Sequence, residues 1–472
     1  MENQGFLLNG EWIRSGEPQV VRSPYDQNLV GGTFLATQLH LEAAIAGSAA
    51  AFEQSKNLPA PERQRILNQV SLKIAEHKEE FARLIALEAG KPIKAARTEV
   101  DRAVFTFSLA AEESVRINEE RIAIDLQNAS EKRVGIIRRF PVGPVSAITP
   151  FNFPLNLVAH KLAPAIACGC PVVLKPAPQT PLTALKLAGL IQEAGLPPGA
   201  SQVLPMTNED AAALVEDDRM KVLSFTGSAS IGWQLKAKSG KKRVLLELGG
   251  NAAVIIHGDA DIEHAAARCA FGGFTYAGQS CISVQRIFVQ SKVFSAFLAS
   301  LVEKVKKLKS GNPLNEETDV GPLIRESDAQ RVEEWIDEAA LQGATLMCGG
   351  ERTGSFVEPA VLTGTKPSQR INSEEVFGPV VTVEPYEEFE EALQRANDSR
   401  YGLQAGVFTH EPSLIQQAFQ RLEVGGVIAN EVPTFRADHM PYGGVKDSGL
   451  GREGVRYAME EMTDRKILVT RT

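Results

Sequence analysis

From residue 142 onward, short apolar runs alternate with helical stretches, and this alternation restricts the fold more than any other feature of the chain. Val145–Thr149, Pro171–Lys175, Lys221–Phe225 and Val244–Leu248 are the runs, and stretches of helical character near 155–168, 182–194, 209–215 and 230–238 separate them. Strands covered on both faces read as unbroken apolar segments, and parallel strands need a crossover between them, so the pattern predicts an α/β protein with a parallel sheet. Such sheets bind ligands outside the carboxyl ends of their strands. A second alternating region begins near 252, with Val254–Ile256, Ile287–Val289, Val380–Glu384 and Val427–Asn430 as strands and Gly249-Gly250 as the boundary.

Upstream, residues 41–119 read as helices, since Leu41, Ile45, Ala49 and Phe52, then Ile66, Leu67, Val70 and Ile74, recur at helical spacing. Between 121 and 140, Ile122 and Ile124 alternate with charged residues ahead of Val134-Gly135-Ile136-Ile137, which predicts a two-stranded arm. The tail Lys466–Thr470 reads as a lone strand. A lone strand must pair, and the arm of another subunit is one option.

Composition narrows the function. The 472 residues suffice for two or three domains. Hydrophobic residues at 43% and charged residues at 23% exclude wholesale disorder. With 50 Lys+Arg against 58 Asp+Glu the net charge is −8, which argues against a nucleic-acid partner. Five cysteines make no disulfide framework and suit a reducing compartment. Met1–Gly5 lacks the basic and apolar regions of a signal peptide, and the most apolar stretch, 157–174, is interrupted by His160 and Lys161. A cytoplasmic protein with no membrane partner is expected.

Several residues could carry chemistry. Gly449-Leu450-Gly451-Arg452-Glu453-Gly454 matches Gly-x-Gly-x-x-Gly, but no strand precedes it and no strand-helix-strand unit follows, so it reads as a glycine-rich loop. Thr226-Gly227-Ser228 joins a predicted strand to a predicted helix, where free N–H groups suit a pyrophosphate and Ser equally suits an N-cap. Cys168, Cys170, Cys269 and Cys348 read as buried small hydrophobes, and the spacing of the first two is not that of a zinc site. Cys281 follows Gly278-Gln279-Ser280, where turn chemistry would present a thiol in an open, polar loop, able to ionise and act as a nucleophile. Glu247 ends an apolar strand, as either a structural partner or a base of raised pKa. Asn152, in Pro150-Phe151-Asn152-Phe153-Pro154, could donate to an oxyanion or cap a turn.

Taken together, Pro150–Pro154, Val173–Pro176, Phe225–Ser228, Glu247–Asn251, Gly278–Cys281 and Glu375–Pro379 occur in an order and at a spacing that resembles the aldehyde dehydrogenase superfamily over essentially the whole chain. The resemblance implies a Rossmann-like cofactor domain (1–120 and 142–248), an α/β catalytic domain (249–450) and a β oligomerisation arm and tail (121–141 and 451–472) of a homodimer or homotetramer. It implies Cys281 as nucleophile, Glu247 as general base and Asn152 as oxyanion donor. Phe151, Lys175, Pro178, Gly227, Ser228, Glu375 and Phe377 would line the cofactor site, with Lys175 on the adenosine ribose, Ser228 on the pyrophosphate and Glu375 on the nicotinamide ribose. No metal is implied.

The chemistry is consistent. A thiolate adds to the aldehyde, the oxyanion expels a hydride to the cofactor, and water activated by a base hydrolyses the resulting thioester. Relatives that pass the acyl group to coenzyme A typically lack a glutamate at the position of Glu247, so its presence favours hydrolysis over a coenzyme A-acylating reductase. A catalytically silent protein of the same fold is the other alternative, and the intact set of Cys281, Glu247, Asn152 and Glu375 speaks against it. NAD-preferring relatives commonly carry Glu three residues after the ribose lysine. Here Pro178 stands there, so NADP is allowed beside NAD and somewhat favoured. Arg102 and Arg436 sit where relatives acting on anionic aldehydes place basic residues. The sequence resembles the family-21 type, which implies succinic semialdehyde, and also lactaldehyde and non-phosphorylating glyceraldehyde-3-phosphate dehydrogenases. Ser280 replaces the Arg that precedes the nucleophile in the last of these.

Overall fold

The four apolar runs after residue 142 enter one sheet in the computed structural model of the chain, which describes residues 3–116, 119–127 and 132–471. The parallel core of that sheet runs, in spatial order, Ser201–Val203, Val172–Lys175, Val145–Ile148, Val222–Thr226 and Arg243–Glu247. Phe6–Leu8 and then Glu11–Ile13 extend it on one side, and Gly449–Leu450 closes the other, all antiparallel to their neighbours. Strands after Val145–Ile148 go first to one side of it and then to the other. The order therefore reverses between Val145–Ile148 and Val222–Thr226, and a doubly wound sheet opens its binding crevice at such a point. Gly449–Leu450 lies on this edge, so the glycine-rich motif is an edge strand and turn.

Helix Asn156–Cys168 is buried along its whole length, which explains the apolar stretch that includes it. Among the described residues no helix is long and apolar enough to cross a membrane. Helices Gln38–Ser55, Ala60–Glu76, Lys78–Ala89 and Ile93–Ser114 account for the helical periodicity of the N-terminal part, and all four add residues to the core of this sheet. Ahead of them lie four strands, Phe6–Leu8, Glu11–Ile13, Glu17–Arg22 and Leu29–Leu35.

The second sheet has seven strands in the order Thr345–Cys348, Ala360–Thr363, Val380–Tyr386, Val284–Gln290, Ala252–Ile256, Gln404–Phe408 and Gly426–Ala429. All neighbours are parallel except the first pair. It has its own core, which includes Val254, Ile287, Val332 and Val381.

The tail finds its partner within its own chain. Thr463–Arg471 pairs with Arg133–Pro141 of its own chain, from Thr463 opposite Pro141 to Arg471 opposite Arg133, and Glu120–Ala123 joins on the far side. The reason is where the chain emerges: helix Val455–Glu461 buries Val455 and Met459 in the first core, and Met462 O accepts the Val142 N–H at 3.1 Å, which starts the tail beside the arm. Residues 455–462 thus pack with the first sheet's core and not with the arm. Residues 128–131 of the arm lie outside the described residues.

The segment between strand Val145–Ile148 and helix Asn156–Cys168 is fixed from below by a buried ion pair. Lys91 Nζ meets Glu99, both 1% exposed, and stands 3.6 Å from the centroid of the Phe153 ring and 4.6 Å from that of Tyr276. Glu99 Oε1 also accepts the N–H groups of Leu155 (2.9 Å) and Asn156 (3.1 Å), two of the donors a helix start leaves unsatisfied. Breaking a buried pair strands its partner, so Glu99→Ala should lower the unfolding free energy by about 3–5 kcal/mol, read as a lower urea midpoint at neutral pH.

Candidate active site

A cavity of about 290 Å³ lies at the switch point, between the two sheets. Ten of the twelve residues singled out above line it: Arg102, Phe151, Asn152, Gly227, Ser228, Glu247, Cys281, Glu375, Phe377 and Arg436. Lys175 and Pro178 do not. Lys175 ends its strand at 3% exposure, with burial holding its ammonium down to about 8. Pro178 is exposed, and its carbonyl accepts from Gln19 Nε2 at 2.5 Å.

Cys281 comes from a tightly held loop. Tyr276, Ala277 and Gly278 are consecutive left-handed residues, at φ of 52°, 52° and 69°. A Cβ at Gly278 would sit 2.1 Å from Gly378 O, so glycine is required by space as well as by conformation. Tyr276 Oη donates to Ala89 O at 2.8 Å, while Gln279 donates to Pro322 O at 3.2 Å and accepts from Ile324 N–H at 2.9 Å. On the facing loop Phe377 is also left-handed, at φ 47°, with its ring edge-on to Phe151 at 6.0 Å. Strained backbone that the surroundings fix on both sides of a cavity is a mark of a functional site.

The thiol is partly buried on the cavity wall. Burial pushes it up to about 12, and its one hydrogen-bond contact among the described residues is Tyr442 Oη at 3.1 Å. Asn152 Nδ2 donates to Gln279 O at 3.0 Å, which leaves its second N–H for another acceptor. Glu375 is pushed up to about 7 by burial and accepts the Gly250 N–H at 3.0 Å. A Cβ at Gly249 would sit 2.1 Å from Glu375 Oε2, so only glycine admits that carboxyl.

Two buried carboxyls hold opposite states. Both oxygens of Glu247 lack a hydrogen-bond partner, and burial, with the Glu453 charge adding to it, raises this group far above the carboxylate range. Glu453 is buried too, but Lys161 Nζ at 3.2 Å and Arg436 Nη2 at 3.1 Å hold it down to about 2. The two carboxyls are thus pushed in opposite directions, Glu247 toward its neutral form and Glu453 toward its anion.

Arg102 and Arg436 converge on the cavity as anticipated, yet neither is free. Arg102 binds Asp438 through two bonds, of 2.7 and 3.0 Å, and Asp438 also meets His160 Nε2 (2.8 Å) and Asn156 Nδ2 (3.2 Å). Burial opposes ionisation of Asp438, but these partners keep its carboxyl far below the usual range. Arg436, besides Glu453, lies over the Tyr442 ring at 3.7 Å. Sequence reading passed over Tyr442, Glu453, Lys161, His160 and Asp438, and also Asp328 and Arg331, which line the cavity one turn apart on helix Glu326–Leu341.

The profile of the aldehyde dehydrogenase family matches residues 12–468. The chain belongs to that family. It is 44% identical over 471 residues to 3-sulfolactaldehyde dehydrogenase of Priestia aryabhattai, covering 99% of this chain and 98% of the relative. Among solved structures it is similar to aldehyde dehydrogenase 21 of Physcomitrella patens in complex with the reaction product succinate, at 44% identity and a TM-score of 0.98 over 100% of this chain and 98% of that one. The glyceraldehyde-3-phosphate dehydrogenase GapN of Methanocaldococcus jannaschii, complexed with NADP, gives 39% identity and a TM-score of 0.94 over 98% of this chain and 100% of that one.

The raised pKa of Glu247 in this aldehyde dehydrogenase has a consequence for stability. An acid with a higher pKa folded than unfolded binds its proton more tightly in the folded state. Its contribution to stability is therefore fully present below the unfolded value, near 4.5, and is lost as pH rises from there toward the folded value. Glu247→Gln removes that loss. Thermal melts should show the variant and the parent alike at pH 4, with the variant gaining progressively up to pH 8.

Proposed function

We propose that the protein oxidises a small anionic aldehyde, succinic semialdehyde foremost, to the carboxylic acid by way of a Cys281 thioester, with NADP preferred to NAD. The observation that carries this reading is the convergence of a thiol, a neutral buried carboxyl and two guanidiniums on one cavity. Family membership makes the reaction an aldehyde oxidation with a nicotinamide dinucleotide. The succinate complex of a 44% identical structure supports the substrate.

The cavity suits a dinucleotide. Helix Ala229–Lys238 opens on its wall just after Gly227-Ser228, so the N–H groups of its first turn suit a pyrophosphate, and Glu375 reaches in over Gly249. In this reading Lys175 holds the adenosine ribose, Glu375 the nicotinamide ribose, and Phe151 and Phe377 stand beside the nicotinamide. What the dinucleotide supplies when bound is a hydride acceptor. The protein does the rest. Cys281, as thiolate, bonds to the aldehyde carbon. The free N–H of Asn152 and the backbone N–H of Cys281 receive the oxyanion. Once ionised, Glu247 takes the proton of the water that splits the thioester, releasing the acid and restoring the thiol.

Residues 1–120 and 142–248 serve the cofactor and 249–450 the chemistry. The outer edge of strand Thr463–Arg471, with Ile467, Leu468 and Val469 about half exposed, is available to a second copy in a homodimer or homotetramer. The five cysteines are free, which suits the cytoplasm. A second reading has support in the lactaldehyde, 3-sulfolactaldehyde and glyceraldehyde-3-phosphate relatives: a three-carbon hydroxyaldehyde, either uncharged as in lactaldehyde or with sulfonate or phosphate in place of carboxylate.

The test is an aldehyde panel run with both dinucleotides. A charged hydrogen bond is worth about 1.5–3 kcal/mol, so succinic semialdehyde should exceed butyraldehyde by about 10- to 150-fold in kcat/KM, and Arg102→Gln should remove most of the difference through KM. Equal values in the parent enzyme would overturn the anionic substrate. NADP should support turnover at least as well as NAD. Pro178→Glu should reverse the preference by placing a carboxylate against the 2′-phosphate. Strict NAD dependence in the parent would show that another group screens the phosphate.

A further inference from the structure

We propose that Tyr442 is a catalytic residue of this enzyme, donating a hydrogen bond that stabilises the Cys281 thiolate, and that Arg436 acts through Tyr442 as a positioning residue. The inference rests on the reading of Cys281 as the nucleophile. Tyr442 Oη lies 3.1 Å from Cys281 Sγ, and both residues line the same cavity. The ring is 3% exposed and packs with Ile282 and Leu403. On its other side the Arg436 guanidinium stands 3.7 Å from the ring centroid. The backbone is clamped as well: Tyr442 and Glu453 exchange both N–H···O bonds, at 3.0 and 2.6 Å. Arg436, Glu453 and Tyr442 therefore form one rigid unit aimed at the thiol.

The direction of the hydrogen bond follows from chemistry. A thiol is a weak donor and a weak acceptor, whereas a thiolate is a strong acceptor, so a phenol O–H gains most from this contact after the thiol ionises. The thiol gives its proton to solvent, and Tyr442 keeps its own. The need is evident from the surroundings. Burial disfavours the thiolate, Glu375 and Glu247 as anions would disfavour it further, and Arg436 favours it, with Lys161 and Glu453 behind that guanidinium. Among the described residues the phenol is the one hydrogen-bonding group the structure places on Sγ.

The experiment is Tyr442→Phe in the full chain, a change that removes one oxygen from a packed ring. Cys281 is alkylated with iodoacetamide across a pH series, with Cys281→Ala as the blank for the other cysteines. The midpoint should rise by about one pH unit, which is about tenfold in alkylation rate at pH 7.5, with kcat/KM falling alongside. The deficit should keep about the same ratio at each pH below the midpoint, as a shift in thiolate fraction requires. Superimposable alkylation profiles would overturn the proposal, whatever happens to turnover. Normal turnover by Cys281→Ala would instead overturn the nucleophile reading. A thermal melt unchanged in Tyr442→Phe separates both outcomes from unfolding.

Discussion

Glu453 is 2% exposed, between Lys161 and Arg436, and the two cations keep it ionised in a place where burial alone would protonate it. Its charge then adds to the burial of Glu247, which has no hydrogen bond to support an anion of its own, and both push that carboxyl toward its neutral form. Arg436 is fixed by the same carboxylate and carries its guanidinium over the Tyr442 ring. One buried anion thus adds to the burial that favours a proton on the candidate base, and it fixes the stance of a guanidinium and through it the position of the phenol against the thiol. Buried charges of this kind seldom repay their desolvation as stability. What they supply here is a fixed set of protonation states, and the neutral Glu247 has to lose its proton before it can serve as a base.

The covalent geometry of the two facing loops complements that charge arrangement. Tyr276, Ala277 and Gly278 on one side and Phe377 on the other adopt left-handed backbone, and Gly278 and Gly378 approach so closely that no Cβ fits between them. The loops that carry Cys281 and Glu375 therefore constrain one another, and neither can relax alone. Strain persists only where packing over-determines it. Here the packing comes from Tyr276, anchored on Ala89, and from the Lys91–Glu99 pair beneath the segment that carries Asn152. An N-terminal helix thus helps hold a site made mostly of residues after 150.

What could be read from the sequence was local, and what could not was long-range. Val172–Lys175 and Val222–Thr226 showed as apolar runs because both faces of each strand are buried, and Cys281, Glu247 and Asn152 stood out because each sits in a short motif. Phe6–Leu8 and Ser201–Val203 have only three residues apiece, too few for periodicity to register. Gln404–Phe408 hides a strand behind Gln and Gly. In the buried helix Asn156–Cys168, His160 and Lys161 looked like interruptions of an apolar stretch. Their partners Asp438 and Glu453 lie 278 and 292 positions away, and no local pattern links them. The tail's strand character was legible from its residues, but its partner was decided by where helix Val455–Glu461 leaves the chain.

The pairing of both arginines with carboxylates of the same chain changes how an anionic aldehyde would be selected. Arg102 already spends two N–H groups on Asp438, and Arg436 already answers Glu453, so the field that reaches an incoming anion is that of two nearly balanced pairs. Long-range attraction is weak in such an arrangement. Directed donors remain, however: Arg102 lines the cavity with its side chain 25% exposed, and its Nη1 has no hydrogen bond among the described residues. A carboxylate that reached it would form a charged hydrogen bond at once. One that stopped short would gain little, because the remaining charge around it is neutralised. Under the proposed reading the cavity therefore measures the distance between the aldehyde carbon at Cys281 and the anion at Arg102, and chain length counts for as much as charge.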